Sequence, residues 1–250
     1  MPNRTAPEGV YRERIVFTPE EADRFGKVLP DALARRFQDI ASVHHAALGV
    51  GQSVAERHGA FWALARTEMR IDRLPSVGES VYLDTWVGRQ AHGLFWRHYR
   101  IVAENGEALL YAVSIWVIMD RETRALTKDR AWASGVSRTA VEGELPAAFK
   151  AIPFPQELPE HRLRRVTDAE TDGNGHLNNC LYLRWGHDLL PDGFAQTHAL
   201  RTVWIEYRKE LPNGTESELT YSLSGSNLYV WGTAENKERF LLRMVYDETV

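Results

Sequence analysis

The sequence predicts an α+β protein built from two similar units in tandem, each a helix packed against an antiparallel sheet. Three observations support this prediction. The order strand, helix, strands occurs twice along the chain. After each predicted helix, the hydrophobic spacing changes from the helical period to an alternating one. Residues 62–83 also match residues 198–219 in strand–turn–strand pattern at a constant offset of 136 positions. We therefore expect a pseudo-twofold axis, with the two sheets joined edge to edge so that their inner edges are covered.

The first unit is assigned to residues 1–142. A short strand at residues 11–17 precedes a helix, which Pro30 opens because proline is tolerated in a first turn. Gly49 ends this helix. Its apolar stripe consists of Leu33, Phe37, Ile40, Ala41, His44, Ala47 and Leu48. Four antiparallel strands follow, the first from Phe61 to the turn at 75–78 and the others at 80–88, 94–103 and 108–119.

A proline-rich linker at residues 143–160 separates the units. The second unit, residues 161–250, repeats the plan of the first. Its predicted elements are a strand at 163–166, a helix through Leu181, Trp185 and Leu189 that ends at Pro191, a strand at 203–207 and three more short strands.

Composition excludes several classes of protein. The net charge of −4 and the pI near 6.2 argue against nucleic-acid binding. No apolar run approaches the roughly 18 residues of a membrane span, so we expect no membrane insertion. The single cysteine, Cys180, fits a reducing compartment and a cytoplasmic protein. The sequence has no HExxH or comparable metal-ligand spacing and no complete dinucleotide-binding motif. We therefore expect neither a metal nor a cofactor.

The densest polar cluster lies at residues 171–179, directly before the second predicted helix. Asp172, Asn174 and His176 alternate with glycines, which permit close backbone approach. A carboxylate, a carboxamide and an imidazole at alternate positions suit acid–base catalysis, and the N–H groups of the helix start are natural donors to an oxyanion. The simpler alternative is a turn followed by an N-cap asparagine.

Two further residues allow two interpretations each. Glu210 ends the strand after the second helix, where it is either functional or a solvated carboxylate paired with Lys209 or Arg208. Cys180 directly follows the polar cluster. It is either a catalytic thiol activated at a helix N-terminus or a small buried side chain.

Four separated motifs occur in order along the chain: residues 70–87, residues 114–128, DGNGHLNNCLY at 172–182 and IEYRKEL at 205–211. The third resembles the catalytic segment of the acyl-ACP thioesterase family, and the fourth resembles that family's Glu-Tyr-Arg-Arg-Glu-Cys segment. The first two resemble its strand regions. The similarity extends from about residue 10 to residue 247. The resemblance implies a double hotdog fold, in which each unit wraps an antiparallel sheet around a long helix.

The resemblance also implies an activity, the hydrolysis of fatty acyl-acyl carrier protein to free fatty acid. By position, Asp172, Asn174 and His176 match the family's catalytic loop. Glu210 matches its catalytic glutamate. Leu211 stands where the family has a cysteine, so no thiol at that position acts as a nucleophile here. A carboxylate either activates water or attacks the thioester directly, and the sequence leaves both routes open.

An acyl-chain pocket and a partner follow from the same resemblance. The pocket is expected between the helix and the sheet of the first unit, with walls formed by Phe37, Ala41, Trp62 and Met69, although ordinary core packing explains each of these residues equally well. The partner is acyl carrier protein, whose acidic surface suits a basic patch. Residues 161–165 are either such a patch or a solvated strand end. A homodimer is also considered.

Plant members of the family begin with a transit peptide, and this N-terminal segment does not resemble one, which favours a bacterial member.

Three other functions fit the same fold. An acyl-CoA thioesterase would prefer coenzyme A thioesters over acyl carrier protein. A hotdog dehydratase acting on a 3-hydroxyacyl thioester would release no free thiol. A non-catalytic acyl-binding protein would not need the complete set of catalytic side chains, and this argues against it.

Overall fold

The computed structural model describes residues 6–136, 138–139, 141 and 154–248. In these residues, ten strands form one antiparallel sheet in the order β1-β3-β4-β5-β2-β7-β10-β9-β8-β6. The strands are β1 Tyr11–Val16, β2 Ala60–Ile71, β3 Ser80–Ala91, β4 Leu94–Ala103, β5 Ala108–Asp120, β6 Glu160–Arg165, β7 His198–Tyr207, β8 Glu216–Ser224, β9 Asn227–Ala234 and β10 Lys237–Glu248. The predicted α+β fold class is confirmed. Of the predicted linker, residues 143–153 lie outside the described residues.

The helices of the two units differ in length. They are α1 Pro30–Ala47, α2 Gln52–Arg57, α3 Ala131–Ser134, α4 Leu181–His187 and α5 Phe194–Thr197. Helix α1 has 18 residues, whereas α4 has only seven. Helix α1 buries Leu33, Phe37, Ile40, Ala41 and His44 of its predicted apolar stripe, but Ala47 and Leu48 at its C-terminal end are exposed. In the described part of the chain, none of the helices has both the length and the apolar character needed to cross a membrane.

The prediction of a long second helix that ends at Pro191 is wrong. Helix α4 ends at His187. The next N–H groups, those of Leu189 and Leu190, donate to carbonyls three residues back instead of four, which tightens the chain into a turn. Proline at position 191 also disfavours helical geometry in the residue before it.

The two units meet where β2 pairs with β7. Five residues of each strand are in register, and the central pair joins Glu68 to Trp204. Trp204 lies 136 positions after Glu68, which is the offset of the sequence repeat. The same offset relates Thr67 to Val203 and Met69 to Ile205, so it exchanges the two flanking pairs, Thr67–Ile205 and Met69–Val203. The pseudo-twofold axis therefore passes through the central pair. Arg66 and Glu206 strengthen the junction with a 2.5 Å ion pair between partly buried side chains.

A close backbone approach in the second unit depends on one glycine. Gly232 of β9 pairs directly with Phe240 of β10, and Phe240 is fully buried in the largest apolar cluster. A Cβ atom on Gly232 would overlap the Phe240 ring. The missing side chain therefore lets the aromatic ring lie flat across the neighbouring strand.

This packing predicts that Gly232→Ala lowers the free energy of unfolding by about 1–3 kcal/mol, because overpacking a rigid core displaces the ring or the strand. Gly135→Ala is the matched control, since a Cβ atom there has no neighbour within 4 Å. It should change the free energy by less than about 0.5 kcal/mol. Urea unfolding followed by tryptophan fluorescence measures both. Equal stability of the two variants would contradict the close approach.

Candidate active site

The loop that contains the three predicted catalytic residues is held together by its own carboxylate. Asp172 Oδ1 accepts the N–H of Asn174 at 2.8 Å and that of His176 at 3.2 Å. The Asp172 N–H donates to His176 O at 2.8 Å, and Gly175 closes the turn with a φ of +75°. The Asn174 amide nitrogen lies 3.4 Å from Asp172 Oδ2. The structure thus brings Asp172, Asn174 and His176 together.

Backbone hydrogen bonds place Glu210 beside this loop. The Leu177 N–H donates to Leu211 O at 2.8 Å. Arg239, whose side chain is buried, donates from Nη1 to Glu210 O at 2.7 Å. As a result, Glu210 Oε2 lies 3.6 Å from His176 Nε2. All four residues predicted to be catalytic therefore lie at one site.

The first unit also reaches this site, through Arg124. This residue lies in the turn after β5 with a φ of +56°, and its Nη2 donates to Glu210 Oε1. Its guanidinium lies over the Phe61 ring, 4.6 Å from the centroid. One carboxylate oxygen of Glu210 faces Arg124 and the other faces His176, and the side chain remains 44% exposed. The carboxylate is oriented from both units and stays open to solvent.

Sequence reasoning missed Arg124 and Arg239. Arg124 lies in the segment 114–128 that resembles the family, but its contact with Glu210 spans 86 positions and has no local signal. Arg239 follows the turn between β9 and β10, where an arginine is ordinarily solvated. Only a correct prediction of the strand order would have indicated these contacts, because that order brings the ends of β5, β7 and β10 together.

A cavity is lined in part by residues that come shortly after the Asp172–His176 loop. Its lining from the second unit is Asn179, Cys180 and Tyr207, and its lining from the first unit is Ala34, Phe37, Gln38, Leu64, Thr67, Tyr99, Ser114 and Trp116. We call it the proximal cavity. A distal cavity shares Trp116 with it and lies further along the first unit. The two together follow the space between α1 and the sheet.

The four predicted pocket residues fall into two pairs. Phe37 lines the proximal cavity and stacks on Tyr99 with ring centroids 4.7 Å apart. Trp62 lines the distal cavity, and its indole N–H donates to Val50 O at 2.9 Å. Ala41 and Met69 are buried in the largest apolar cluster and line neither cavity.

Cys180 is a buried side chain in this structure. It is 1% exposed, and its thiol donates to Gln38 Oε1 at 2.6 Å. Burial raises the pKa of the thiol to about 12, so it stays protonated at neutral pH. The possibility of an activated thiol at the helix N-terminus is therefore disfavoured, because desolvation outweighs the effect of the helix end.

The first unit contains a loop of the same construction. Asp23 Oδ1 accepts the N–H of Phe25 at 2.8 Å and that of Lys27 at 2.9 Å, in the pattern that Asp172 makes. Gly26 adopts a φ of +76°, like Gly175. Asp172 lies 149 positions after Asp23, and the other members of the two loops keep this spacing.

The matching loop lacks the functional groups of the second. An isolated bridge joins Lys27 to Ser76, and the corresponding bridge joins His176 to Pro212. Lys27 therefore stands in the place of His176. Two residues before Ser76 is Leu74, in the place that Glu210 occupies before Pro212. Of the two related loops, only the second has the imidazole and the carboxylate.

Comparison with known proteins shows the family of this chain. The family model of the acyl-ACP thioesterase N-terminal domain matches residues 8–129, and that of the C-terminal domain matches residues 156–247. This chain belongs to the acyl-ACP thioesterase family. A chloroplastic palmitoyl-acyl carrier protein thioesterase from Gossypium hirsutum is 28% identical over 181 residues, which are 66% of this chain and 42% of that protein. The chain thus spans less than half the length of that relative.

Two solved acyl-ACP thioesterases show the same fold. The 12:0-ACP thioesterase from Umbellularia californica superposes with a TM-score of 0.86 at 19% identity, over 98% of this chain and 100% of that one. An acyl-ACP thioesterase from Bacteroides thetaiotaomicron gives a TM-score of 0.82 at 20% identity, over 96% and 98% of the two chains. The double hotdog fold implied by the resemblance is confirmed.

The buried thiol leads to a prediction for Cys180→Ala. In an assay that follows thiol release from a thioester, the variant should stay close to the wild-type rate, whereas removing a catalytic nucleophile would cost several orders of magnitude in kcat. Wild-type enzyme should also resist alkylation by iodoacetamide at neutral pH, because the thiolate is scarce far below its pKa. Thermal unfolding checks that the variant stays folded. Loss of activity in a folded variant would restore Cys180 as a catalytic candidate.

Proposed function

We propose that this chain hydrolyses the thioester of fatty acyl-acyl carrier protein and releases free fatty acid. The observation that carries the proposal is the pair formed by His176 Nε2 and Glu210 Oε2, 3.6 Å apart. Asn179 and Cys180, which come shortly after His176 in the chain, line the proximal cavity. Thioester hydrolysis requires a base for water, a donor for the carbonyl oxygen and an apolar site for the chain. This part of the molecule offers all three.

We assign the base to Glu210 rather than to Asp172. Asp172 Oδ1 is occupied by two backbone N–H groups. Asp23 makes the same two bonds in a loop without an imidazole or a carboxylate partner, so these bonds build the loop in either unit. Glu210, in contrast, has one oxygen held by Arg124 and the other directed to His176. Asp172 is then a positioning residue for Asn174 and His176.

The proposed reaction balances without a covalent intermediate. Glu210 removes a proton from water while the water oxygen attacks the thioester carbon. The carbon–sulfur bond then breaks, and the proton passes to the leaving sulfur, so the products are a fatty acid and the free thiol of the carrier. His176 orients the Glu210 carboxylate and is placed to relay this proton.

The candidate donor to the thioester oxygen is the Asn179 N–H. The neighbouring N–H groups are occupied: Asn178 donates to Glu170 O at 2.9 Å, Cys180 to Asn178 Oδ1 at 3.0 Å and Leu181 to Asn178 O at 2.8 Å. Among the described residues, the Asn179 N–H has no comparable partner, and Asn179 lines the proximal cavity. The exposed amide of Asn174 is a second donor for the same oxygen.

The basic patch at residues 161–165 is a weaker docking site for acyl carrier protein than its sequence suggests. Arg164 pairs with Asp188 at 3.0 Å and with Glu170 at 3.3 Å. Arg162 donates to a backbone carbonyl, and His161 lies 3.1 Å from Glu218. These contacts within the protein offset much of the charge that an acidic partner would meet.

The central prediction concerns Glu210→Gln and His176→Ala. Each should lower kcat for acyl-ACP hydrolysis by about 10²- to 10⁴-fold, the usual contribution of general acid–base catalysis. Glu218→Gln is the matched control, because Glu218 forms a surface pair with His161 at 3.1 Å and should leave kcat unchanged. The assay follows thiol release across acyl-ACP chain lengths, with acyl-CoA of equal length in parallel. Near-normal turnover by Glu210→Gln would remove it from the mechanism, and a preference for acyl-CoA would overturn the assigned substrate.

A second prediction separates base from positioning residue by comparing Asp172→Asn with Asp23→Asn. Asparagine still accepts the two backbone N–H bonds but without charge, so Asp172→Asn should lower kcat by about tenfold, less than Glu210→Gln. Asp23→Asn weakens the same two bonds in the loop that lacks the proposed reacting groups, so it should lower Tm similarly and leave kcat unchanged. If Asp172→Asn were as inactive as Glu210→Gln, Asp172 would take part in the chemistry itself.

A further inference from the structure

A buried cation lies on the inner face of the first unit, at the distal cavity. Arg97 of β4 is 1% exposed and lines this cavity. Its Nη1 donates to His44 Nδ1 at 3.0 Å and to Thr85 Oγ1 at 3.1 Å. Among the described residues, its Nε and Nη2 have no hydrogen-bond partner, and no carboxylate forms an ion pair with it.

The two unpartnered nitrogens form one edge of the guanidinium, and other arginines of this chain show what that edge binds. Arg12 uses Nε and Nη2 to hold Asp84 at 2.6 and 2.8 Å. Arg36 holds Glu21 with the same two atoms at 2.8 and 2.9 Å. Arg184 holds Asp31 at 2.8 and 3.0 Å. In each case the ligand is a carboxylate bound through both oxygens, which is the geometry this edge matches.

The described residues around Arg97 supply no negative charge. His45 lines the same cavity, and burial lowers its pKa to about 2, while burial and the Arg97 charge lower the pKa of His44 to about 4. Both imidazoles are therefore neutral. Burial also lowers the pKa of Arg97 itself, but only to about 10, so the guanidinium remains charged at neutral pH. An isolated buried charge of this kind is costly unless something compensates it.

The position of Arg97 relates it to the acyl chain of the proposed reaction. Trp116 lines both the proximal cavity, which starts beside the catalytic loop, and the distal cavity, which contains Arg97. Trp62 and Phe95 form apolar walls of the distal cavity, and its polar lining residues His45 and Gln90 carry no charge. A chain that passes Trp116 would therefore meet one charged group there, the free edge of Arg97.

We propose that Arg97 binds a carboxylate at the far end of the acyl chain, so that this thioesterase accepts half-thioesters of dicarboxylic acids. The proposal rests on the proposed function for the reaction, but the carboxylate site itself is independent of turnover. The apolar cavity walls hold the methylene chain, and the Nε–Nη2 edge of Arg97 holds both terminal oxygens.

The first experiment measures specificity in the wild-type enzyme and in Arg97→Met. The ratio of kcat/KM for a dicarboxylyl-ACP to that for the monocarboxylic acyl-ACP of equal length should exceed unity in the wild type. In Arg97→Met this ratio should fall by about 10- to 100-fold, the effect of losing hydrogen bonds to a charged group. Arg12→Gln is the control, because Arg12 lies at Asp84, where Arg100 remains as a second partner, and it should leave the ratio unchanged.

The second experiment measures binding without turnover. Suberic, sebacic and dodecanedioic acids should raise the Tm of the wild type more than monocarboxylic acids of the same lengths, and Arg97→Met should abolish the difference. Without ligand, Arg97→Met should be at least as stable as the wild type, since it removes an uncompensated buried charge. If Arg97→Met does not fold, Arg97→Lys replaces it. Lysine keeps the charge but cannot bind both carboxylate oxygens through two nitrogens, so the Tm difference between diacids and monoacids should be smaller than in the wild type.

The outcomes separate this proposal from the proposed function. Hydrolysis of monocarboxylic acyl-ACP with no preference for dicarboxylyl chains, and no Tm difference between diacids and monoacids, would overturn the carboxylate site and leave the thioesterase activity intact. An Arg97-dependent Tm difference without hydrolysis of any acyl-ACP would support the carboxylate site and overturn the proposed function. A Tm difference that persists in Arg97→Met would overturn the assignment to Arg97.

Discussion

The rest of the structure depends on the antiparallel pairing of β2 with β7. This pairing joins two five-stranded halves into one ten-stranded sheet and places the pseudo-twofold axis at the Glu68–Trp204 pair. Because the axis fixes how the units face each other, the turn after β5 lies beside the end of β7, and Arg124 reaches Glu210. The same pairing closes the cavity behind the catalytic loop with residues from both units. Neither unit alone would hold the carboxylate or enclose the cavity.

Symmetry of the backbone and asymmetry of the side chains together explain why only one of the two loops carries the proposed chemistry. Both loops are built by an aspartate that accepts two backbone N–H groups and by a glycine with positive φ. Lysine and leucine occupy the histidine and glutamate positions in the first unit. There the Lys27 ammonium donates to the backbone carbonyls of Ala195 and His198, so the first loop fastens the two units together. Most residues that line the proximal cavity belong to the first unit, whereas the proposed reacting groups belong to the second.

The sequence predicted what depends on local spacing. The alternating strands, the α1 stripe, the Asp172–His176 loop and the 136-position repeat were all visible in short segments, and the repeat coincides with the axis at Glu68 and Trp204. The related loops escaped notice because they repeat at 149 positions, since the helical region of the second unit is shorter. Sequence reasoning missed three arginines. Arg124 and Arg239 contact Glu210 from distant parts of the chain. Arg97 is notable because two of its buried nitrogens have no partner among the described residues. The length of α4 was overestimated because Leu189 fits the helical spacing although the chain has already turned at His187.

Isotope labelling tests the central claim, that Glu210 activates water at this composite site, most directly. The enzyme in excess hydrolyses acyl-ACP once in oxygen-18 water, and mass spectrometry then examines the fatty acid and the peptide that contains Glu210. Direct attack by water predicts one oxygen-18 atom in the fatty acid from the first turnover and none in the Glu210 peptide, even after many turnovers. Oxygen-18 in the Glu210 carboxylate, with an unlabelled fatty acid in the first turnover, would contradict the account, because it would show that Glu210 attacks the thioester itself.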